Sequence, residues 1–379
     1  MFTAPSRKSL ISCVLASFYF LSSASFAQQI PEDSMLPCDE LEQEVLSQAT
    51  PDEVKRITGY QEAKALERVN PTYPKTAAKN GSEGWVLMSY VVDVEGNVQD
   101  PVVEDFEGDK GFKRSALRAI QNWKFSPAMK DGEPTEQCHS AVRFDFTMAG
   151  VSGASRRFAR SYKQAREKLA AGDIEGAEAL LVELSEKRAS NRYENAWMSS
   201  LDASIAQTQK DDVRELSAIR RTISNSKSHA DGQGTFDDQF LGYLHQRMFI
   251  LEATQGYLGL ALETADEILQ LADGESLMQP LQNTKKIIDD AIASEQQLIV
   301  DINIKERGNY FHTLTRKHFA FLDIEGTLET LEVRCDSHRE KFTVAEEFVW
   351  SIPDSWGKCR VMVDGEQGTS FSLVEVNNI

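Results

Sequence analysis

The side chains of this chain that could react with or ligate something are five cysteines, six histidines and 59 aspartates and glutamates. Their order and spacing form no catalytic constellation. There is no His-Glu-x-x-His, no Gly-x-Ser-x-Gly elbow, no Walker loop and no dinucleotide fingerprint. Gly232-Gln-Gly234 lies in a polar run with no strand pattern before it. Ser224-Asn-Ser-Lys227 has the Ser-x-x-Lys form of penicillin-recognising enzymes but none of their partner motifs. His139, His229, His245, His312, His318 and His338 show no metal spacing, and His312 and His318 read as solvated or satisfied by a hydrogen bond. Adjacent acids such as Asp211-Asp212 and Glu346-Glu347 point apart on a helix or strand, so they read as solvated faces. These residues therefore point to a binding protein, not an enzyme, with no metal and no cofactor.

The chemistry the cysteines do suggest is oxidation, because the chain starts like an exported one. Arg7 and Lys8 precede an apolar run from Leu10 to Phe20, and Ser25-Phe26-Ala27 places small residues before Gln28, so residues 1–27 read as a cleavable signal. The rival is an uncleaved anchor, and the short, serine-rich run argues against it; membrane contact is expected only if the segment is retained. Leu10-Ile-Ser-Cys13 mimics a lipoprotein box, but the apolar run follows the cysteine instead of preceding it. Removing the signal leaves Cys38, Cys138, Cys335 and Cys359, an even number that suggests two disulfides. Three pairings are possible. Proximity favours Cys38–Cys138 and Cys335–Cys359, each worth roughly 3–5 kcal/mol by loop-closure entropy. Zinc is the alternative, weakened by the lack of any Cys-x-x-Cys.

The formal net charge is −18 over 379 residues, and about −20 once Arg7 and Lys8 leave with the signal. That balance disfavours nucleic acid and anionic membrane surfaces as partners and suits a soluble protein that attracts basic ones.

Arg68 to Met148 is the stretch that positions candidate binding residues. Val86, Met88, Tyr90 and Val92 alternate with Leu87, Ser89, Val91 and Asp93, a strand pattern. Asp93 to Asn97, with Gly96, supplies a turn, and Val98 to Val103 returns as the second arm of a hairpin. Phe112, Ala116 and Ile120 form one helical stripe, ending near Trp123 before Pro127. Val142, Phe144 and Phe146 alternate again. The expected unit is ββαβ, one helix over a three-stranded antiparallel sheet.

The landmarks in it are Tyr73-Pro74, Glu83-Gly84, Asp93 with Gly96 and Val98, Ala116 with Ala119, and Trp123-Lys-Phe125-Ser-Pro127-Ala128. In order and spacing this series resembles the TonB C-terminal domain family, over residues 66–148. The resemblance implies that an extended peptide, the N-terminal box of an outer-membrane transporter, pairs with the last strand, here Ser140–Phe146. The binding residues it implies are Asn70, Tyr73, Pro74, Ser140, Ala141, Val142, Arg143 and Phe144. Asn70 stands where that family usually has a glutamine, a methylene longer. A Cys38–Cys138 bridge could hold the N-terminal segment against the same edge.

Residues 28–65 read as a helical lead-in, with Leu41, Val45 and Leu46 on one side of a first helix and Pro51 opening a second. Its prolines are only Pro31, Pro37 and Pro51, so the long Pro-rich spacer of a full energy transducer has no counterpart here. Residues 155–296 turn helical: Phe158, Tyr162, Ala165 and Leu169 keep a helical period, and Gly172 and Gly256 are each followed five residues later by a small alanine. That pattern resembles the tetratricopeptide class; a plain helical bundle is the alternative. Trp197, Leu201, Ile205, Leu216 and Ile219 suggest a further hairpin without the motif, and Asn225 to Thr235 a loop. From about residue 299 to 379 the period falls to two. Cys335 and Cys359 stand in phase with apolar neighbours, as in a small antiparallel β-sandwich. The fold class expected is multidomain α+β.

Two functions follow as expectations. One is a periplasmic TonB-like protein, linked to outer-membrane transport, that binds protein partners by strand addition. The other is a periplasmic scaffold that binds partners through its helices, the TonB-like unit being structural.

Overall fold

The computed structural model describes residues 60–148, 153–186, 191–227, 234–336, 338–344 and 348–377. The signal segment, Cys38 and all of the lead-in before Tyr60 lie outside the described residues. The end of that lead-in is extended, not helical: β1 (Tyr60–Gln61) and β2 (Lys64–Glu67) are strands. They pair with β6 (Ala128–Lys130) and β5 (Lys124–Ser126), and β7 (Glu133–Thr135) completes a small sheet of order β1-β6-β7. Backbone pairing with the turn after Trp123 supplies partners that no local helical pattern could.

Helix α1 (Lys75–Asn80) follows Pro74 and ends on Gly81 in the left-handed conformation. β3 (Gly84–Val92) and β4 (Val98–Glu107) form the expected hairpin, paired from Trp85 opposite Glu107 to Val92 opposite Val98 with register shifts at Leu87/Met88 and Ser89/Val91. Its turn explains two motif residues. Asp93 Oδ1 accepts from the amides of Glu95 and Asn97, and Gly96 has φ +81° with the Phe125 carbonyl where a Cβ would stand. Gly84 is fixed by the Glu107 carbonyl, which a Cβ would meet at 2.0 Å. Helix α2 (Gly111–Ile120) lays Phe112, Ala116 and Ile120 on Val86, Met88, Tyr90 and Val92. The last strand, β8 (Gln137–Phe146), pairs with β3, giving the order β4-β3-β8 and the ββαβ plan expected.

Six long helices follow. α3 (Arg156–Ala170) packs on α4 (Ile174–Ser185), α5 (Arg192–Gln209) on α6 (Asp212–Ser226), and α7 (Asp238–Thr254) on α8 (Leu258–Leu269). Gly172 and Gly256 turn two of these hairpins at positive φ, and Ala177 and Ala261, each five residues on, are fully buried where the paired helices approach. Lys210 makes the same left-handed turn between α5 and α6 without glycine. The reading of Asn225 and Ser226 as loop is corrected: both lie in α6 and are buried. The short α9 (Gly274–Met278) leads through a 3-10 turn into α10 (Gln282–Ala293).

The C-terminal region is eight strands: β9 (Leu298–Asn303), β10 (Asn309–Thr313), β11 (His318–Glu325), β12 (Leu328–Cys335), β13 (Arg339–Thr343), β14 (Val349–Ser351), β15 (Cys359–Gly365) and β16 (Ser370–Val376). They form two antiparallel sheets, β10-β15-β12-β13 and β14-β11-β16-β9, around one core of Phe319, Phe321, Trp350, Val361 and Phe371. Cys335 and Cys359 stand opposite each other on β12 and β15, point into that core and are disulfide-bonded. Their separation of 24 residues predicts that Cys335→Ala/Cys359→Ala lowers stability by about 3.5 kcal/mol. Urea unfolding followed by the tryptophan signal measures it, and an unchanged midpoint contradicts it. His312 is satisfied, as read: its Nε2 lies 2.8 Å from Glu375 Oε1, and both side chains are buried.

Candidate functional site

Strand β8 pairs only with β3, and among the described residues its other edge makes no backbone hydrogen bond. An edge of this kind offers unused N–H and C=O groups to an extended chain. On the helix-covered side of β8, Ser140, Val142 and Phe144 face the core, and Gln137 Nε2 donates to Ser140 Oγ. On the other side Ala141 is exposed and Arg143 is half-buried, its guanidinium over the Trp85 ring.

Asn70 is exposed. Its neighbour Val69 accepts a hydrogen bond from Trp123 Nε1 at 2.9 Å, Arg68 lies over the same indole, and the Trp123 ring meets Phe144 of β8 edge-on at 5.3 Å. The tryptophan motif thus straps the segment before Tyr73 to β8. Tyr73 and Pro74, also named as binding residues from sequence, are placed elsewhere. The Tyr73 ring packs edge-on against Phe112 and Phe146, its hydroxyl donates to the Ser82 carbonyl at 2.6 Å, and Pro74 caps α1 and borders Gly111. Ser140, Ala141, Val142, Arg143 and Phe144 thus lie together on β8, while Tyr73 and Pro74 pack against Phe112, Phe146 and Gly111.

Burial, with Glu83 and Asp109 nearby, pushes the Tyr73 phenol up to about 12. A phenol held neutral in the fold stabilises it fully below the unfolded value near 10, and this contribution disappears as pH rises towards 12. Tyr73→Phe is expected to make the loss of stability between these pH values shallower. Urea midpoints across that range give the test, and an identical slope contradicts it.

Cys138, at the start of β8, is buried with a free thiol, and its expected partner Cys38 lies outside the described residues. Burial, with Glu136 next to it, pushes the Cys138 thiol up to about 11, so little of it is the reactive thiolate at neutral pH.

The face of β3 and β8 away from α2 is partly covered by other regions, which the sequence did not foretell. Helix α6 docks on one end: Trp85 Nε1 donates to Asn225 Oδ1 at 3.0 Å, Asn225 Nδ2 to Glu107 at 2.9 Å, and Arg143 Nη2 to the Ser224 carbonyl at 2.6 Å. Burial pushes the Glu107 carboxyl up, and the Asn225 amide and nearby arginines work against that. The C-terminal sheet docks on the other end: Arg334 reaches Ser89 Oγ, Arg339 and Lys341 pair with Asp100, and Arg360 pairs with Glu104 at 3.2 Å and touches His139. No local pattern hinted at this docking, since Asn225 reads from the sequence as the start of a loop. Between the two docks lies a cleft of ≈ 600 Å³, walled by all three regions. Among the described residues no group of histidine, cysteine or acidic side chains is arranged to hold a metal, and no helix is long and apolar enough to cross a membrane.

Residues 69–148 match the family described as Gram-negative bacterial TonB protein C-terminal. Protein TonB of Vibrio cholerae is 38% identical over 78 residues, 20% of this chain and 32% of that one. Protein tonB2 of Pseudomonas aeruginosa is 32% identical over 83 residues, 22% of this chain and 30% of that one. The chain thus spans about a third of the length of these curated relatives. A solution structure of the Pseudomonas aeruginosa TonB C-terminal domain aligns at 23% identity and TM-score 0.22, covering 24% of this chain and 92% of that one. The similarity to the TonB C-terminal family thus lies in residues 69–148.

Proposed function

We propose that this is a periplasmic TonB-like protein, linked to outer-membrane transport, that captures N-terminal peptides of outer-membrane transporters as an added strand. The observation that carries this reading is the free edge of β8, inside the stretch that matches the TonB C-terminal family and that also holds the exposed Asn70. In the family this strand takes the peptide, and an exposed asparagine amide can both donate to and accept from its backbone. Net charge of −18 argues against nucleic acid as the partner.

Calorimetry with transporter N-terminal peptides tests the proposal. Asn70→Ala is expected to weaken binding about five-fold or more, with unchanged circular dichroism. Adjacent residues of a strand aim their N–H groups at opposite edges. Of Ala141→Pro and Val142→Pro, therefore, one should damage the β3–β8 ladder and the other should fold but bind poorly. Equal binding by Asn70→Ala and by the folded proline variant would remove strand addition at β8.

A second reading is favoured by one feature. Tyr162, Trp197, Phe236 and Phe240 line a groove of ≈ 570 Å³ among helices α3, α5 and α7. In this reading the three helical hairpins are a tetratricopeptide-like array that binds the partner, the C-terminal sheets are a supporting β-sandwich, and the TonB-like domain is structural.

A further inference from the structure

We propose that the cleft between the three regions is a second part of the peptide site, taking a large apolar side chain of the strand added to β8. This rests on the strand-addition reading and extends it from backbone pairing to sequence selection. Successive side chains of a strand alternate between faces, so a chain lying beside β8 puts every second residue on the same side as His139, Ala141 and Arg143. In an isolated ββαβ unit that side is open water. Here it is the cleft.

The position of Ala141 decides where entry occurs. At His139 the strand is met by Arg360 of β15, and at Arg143 by the Ser224 carbonyl of α6. Ala141, midway between these contacts, is exposed and lines the cleft with the smallest side chain on this face of β8. Beyond it one wall carries Leu87, Ile223, Met248, Leu260 and Phe311, set among charged and polar residues. Six of the charged groups pair with each other: Arg220 with Glu252, Arg307 with Asp105 and Arg360 with Glu104, at 2.8, 3.1 and 3.2 Å. A cleft of ≈ 600 Å³ is large enough for an aromatic ring, and a ring laid on these apolar side chains gains from burial. An occupant held only by the cleft would need no strand edge. Ala141 belongs both to the edge strand β8 and to the cleft lining, and that shared position favours an extended peptide over a small molecule.

The test uses the full chain and a host peptide of about ten residues, alternating threonine and glutamine, with one central position set to alanine or phenylalanine. The phenylalanine peptide is expected to bind about ten-fold more tightly than the alanine peptide. Ala141→Leu, which fills the entrance, should abolish the preference. Leu260→Ala, away from β8, should reduce the preference without touching the edge. Equal affinity for both peptides in the wild type, or an undiminished preference in Ala141→Leu, overturns the cleft proposal and leaves strand addition standing. Binding of neither peptide, with transporter peptides also silent, removes both. A phenylalanine preference that persists in the folded β8 proline variant removes strand addition while keeping the cleft as a site.

Discussion

Glu83→Ala is expected to lower stability by about 3–4 kcal/mol, far more than an ordinary surface change. Glu83 is the acid of the Glu-Gly motif, and its side chain is almost fully buried. One carboxylate oxygen accepts from the Met148 amide at 2.6 Å, and the other accepts from the Arg192 amide at 3.0 Å. The Arg192 amide is the first of helix α5, an orphan donor that the helix itself cannot satisfy, and the negative charge also complements the helix dipole there. Truncation leaves two buried N–H groups unpaired, and it cuts the tie between the TonB-like domain and the helices. Glu83→Gln keeps one carbonyl acceptor but aims an N–H₂ group at the other amide, so it should recover less than half of the loss. Urea unfolding midpoints of the three proteins decide the matter. A loss below about 1 kcal/mol for Glu83→Ala would show that the junction is satisfied by other means.

Arg316→Ala is expected to cost about 3 kcal/mol or more and to loosen the junction between α10 and the C-terminal sheets. The guanidinium is buried and donates to five carbonyls, those of Ala291, Ile292, Ser294, Gln296 and Glu375, at 2.6–3.1 Å. Four of the five lie at or just beyond the C-terminus of α10, where unpaired carbonyls gather and a cation is favoured. Arg316→Lys offers three donors from one point and cannot span this set, so it should rescue little. Amide hydrogen exchange should quicken in α10 and in β16 for both variants. Unchanged exchange in these elements would contradict the assigned role.

Elements with their own period were legible from the residues. The β3–β4 turn is written in Asp93 and Gly96, the face of α2 in Phe112, Ala116 and Ile120, and the C-terminal disulfide in the phase of Cys335 and Cys359 with their apolar neighbours. The strand character of Tyr60–Gln61 and Lys64–Glu67 was not legible, because it comes from pairing with residues more than fifty positions away. The burial of Asn225 was not legible for a similar reason. Polar residues before a Gly-containing run read as a loop, and only Trp85 and Glu107, from another region, make burying that amide favourable. In the candidate site, Asn70 and Ser140–Phe144 were named from the resemblance to the TonB C-terminal family, whereas the cleft behind Ala141 depends on how three regions dock and leaves no local pattern. Tyr73, a family landmark, packs into the core against Phe112 and Phe146.

The most direct test of strand capture at β8 is amide hydrogen exchange of the full chain, with and without a transporter N-terminal peptide at saturating concentration. Added strands protect amides that point at the new partner, so protection should appear within Ser140–Phe146 at alternate residues and little elsewhere. Protection confined to α3, α5 and α7, around the aromatic groove, with β8 exchanging as before, would contradict the account and assign the partner to the helices.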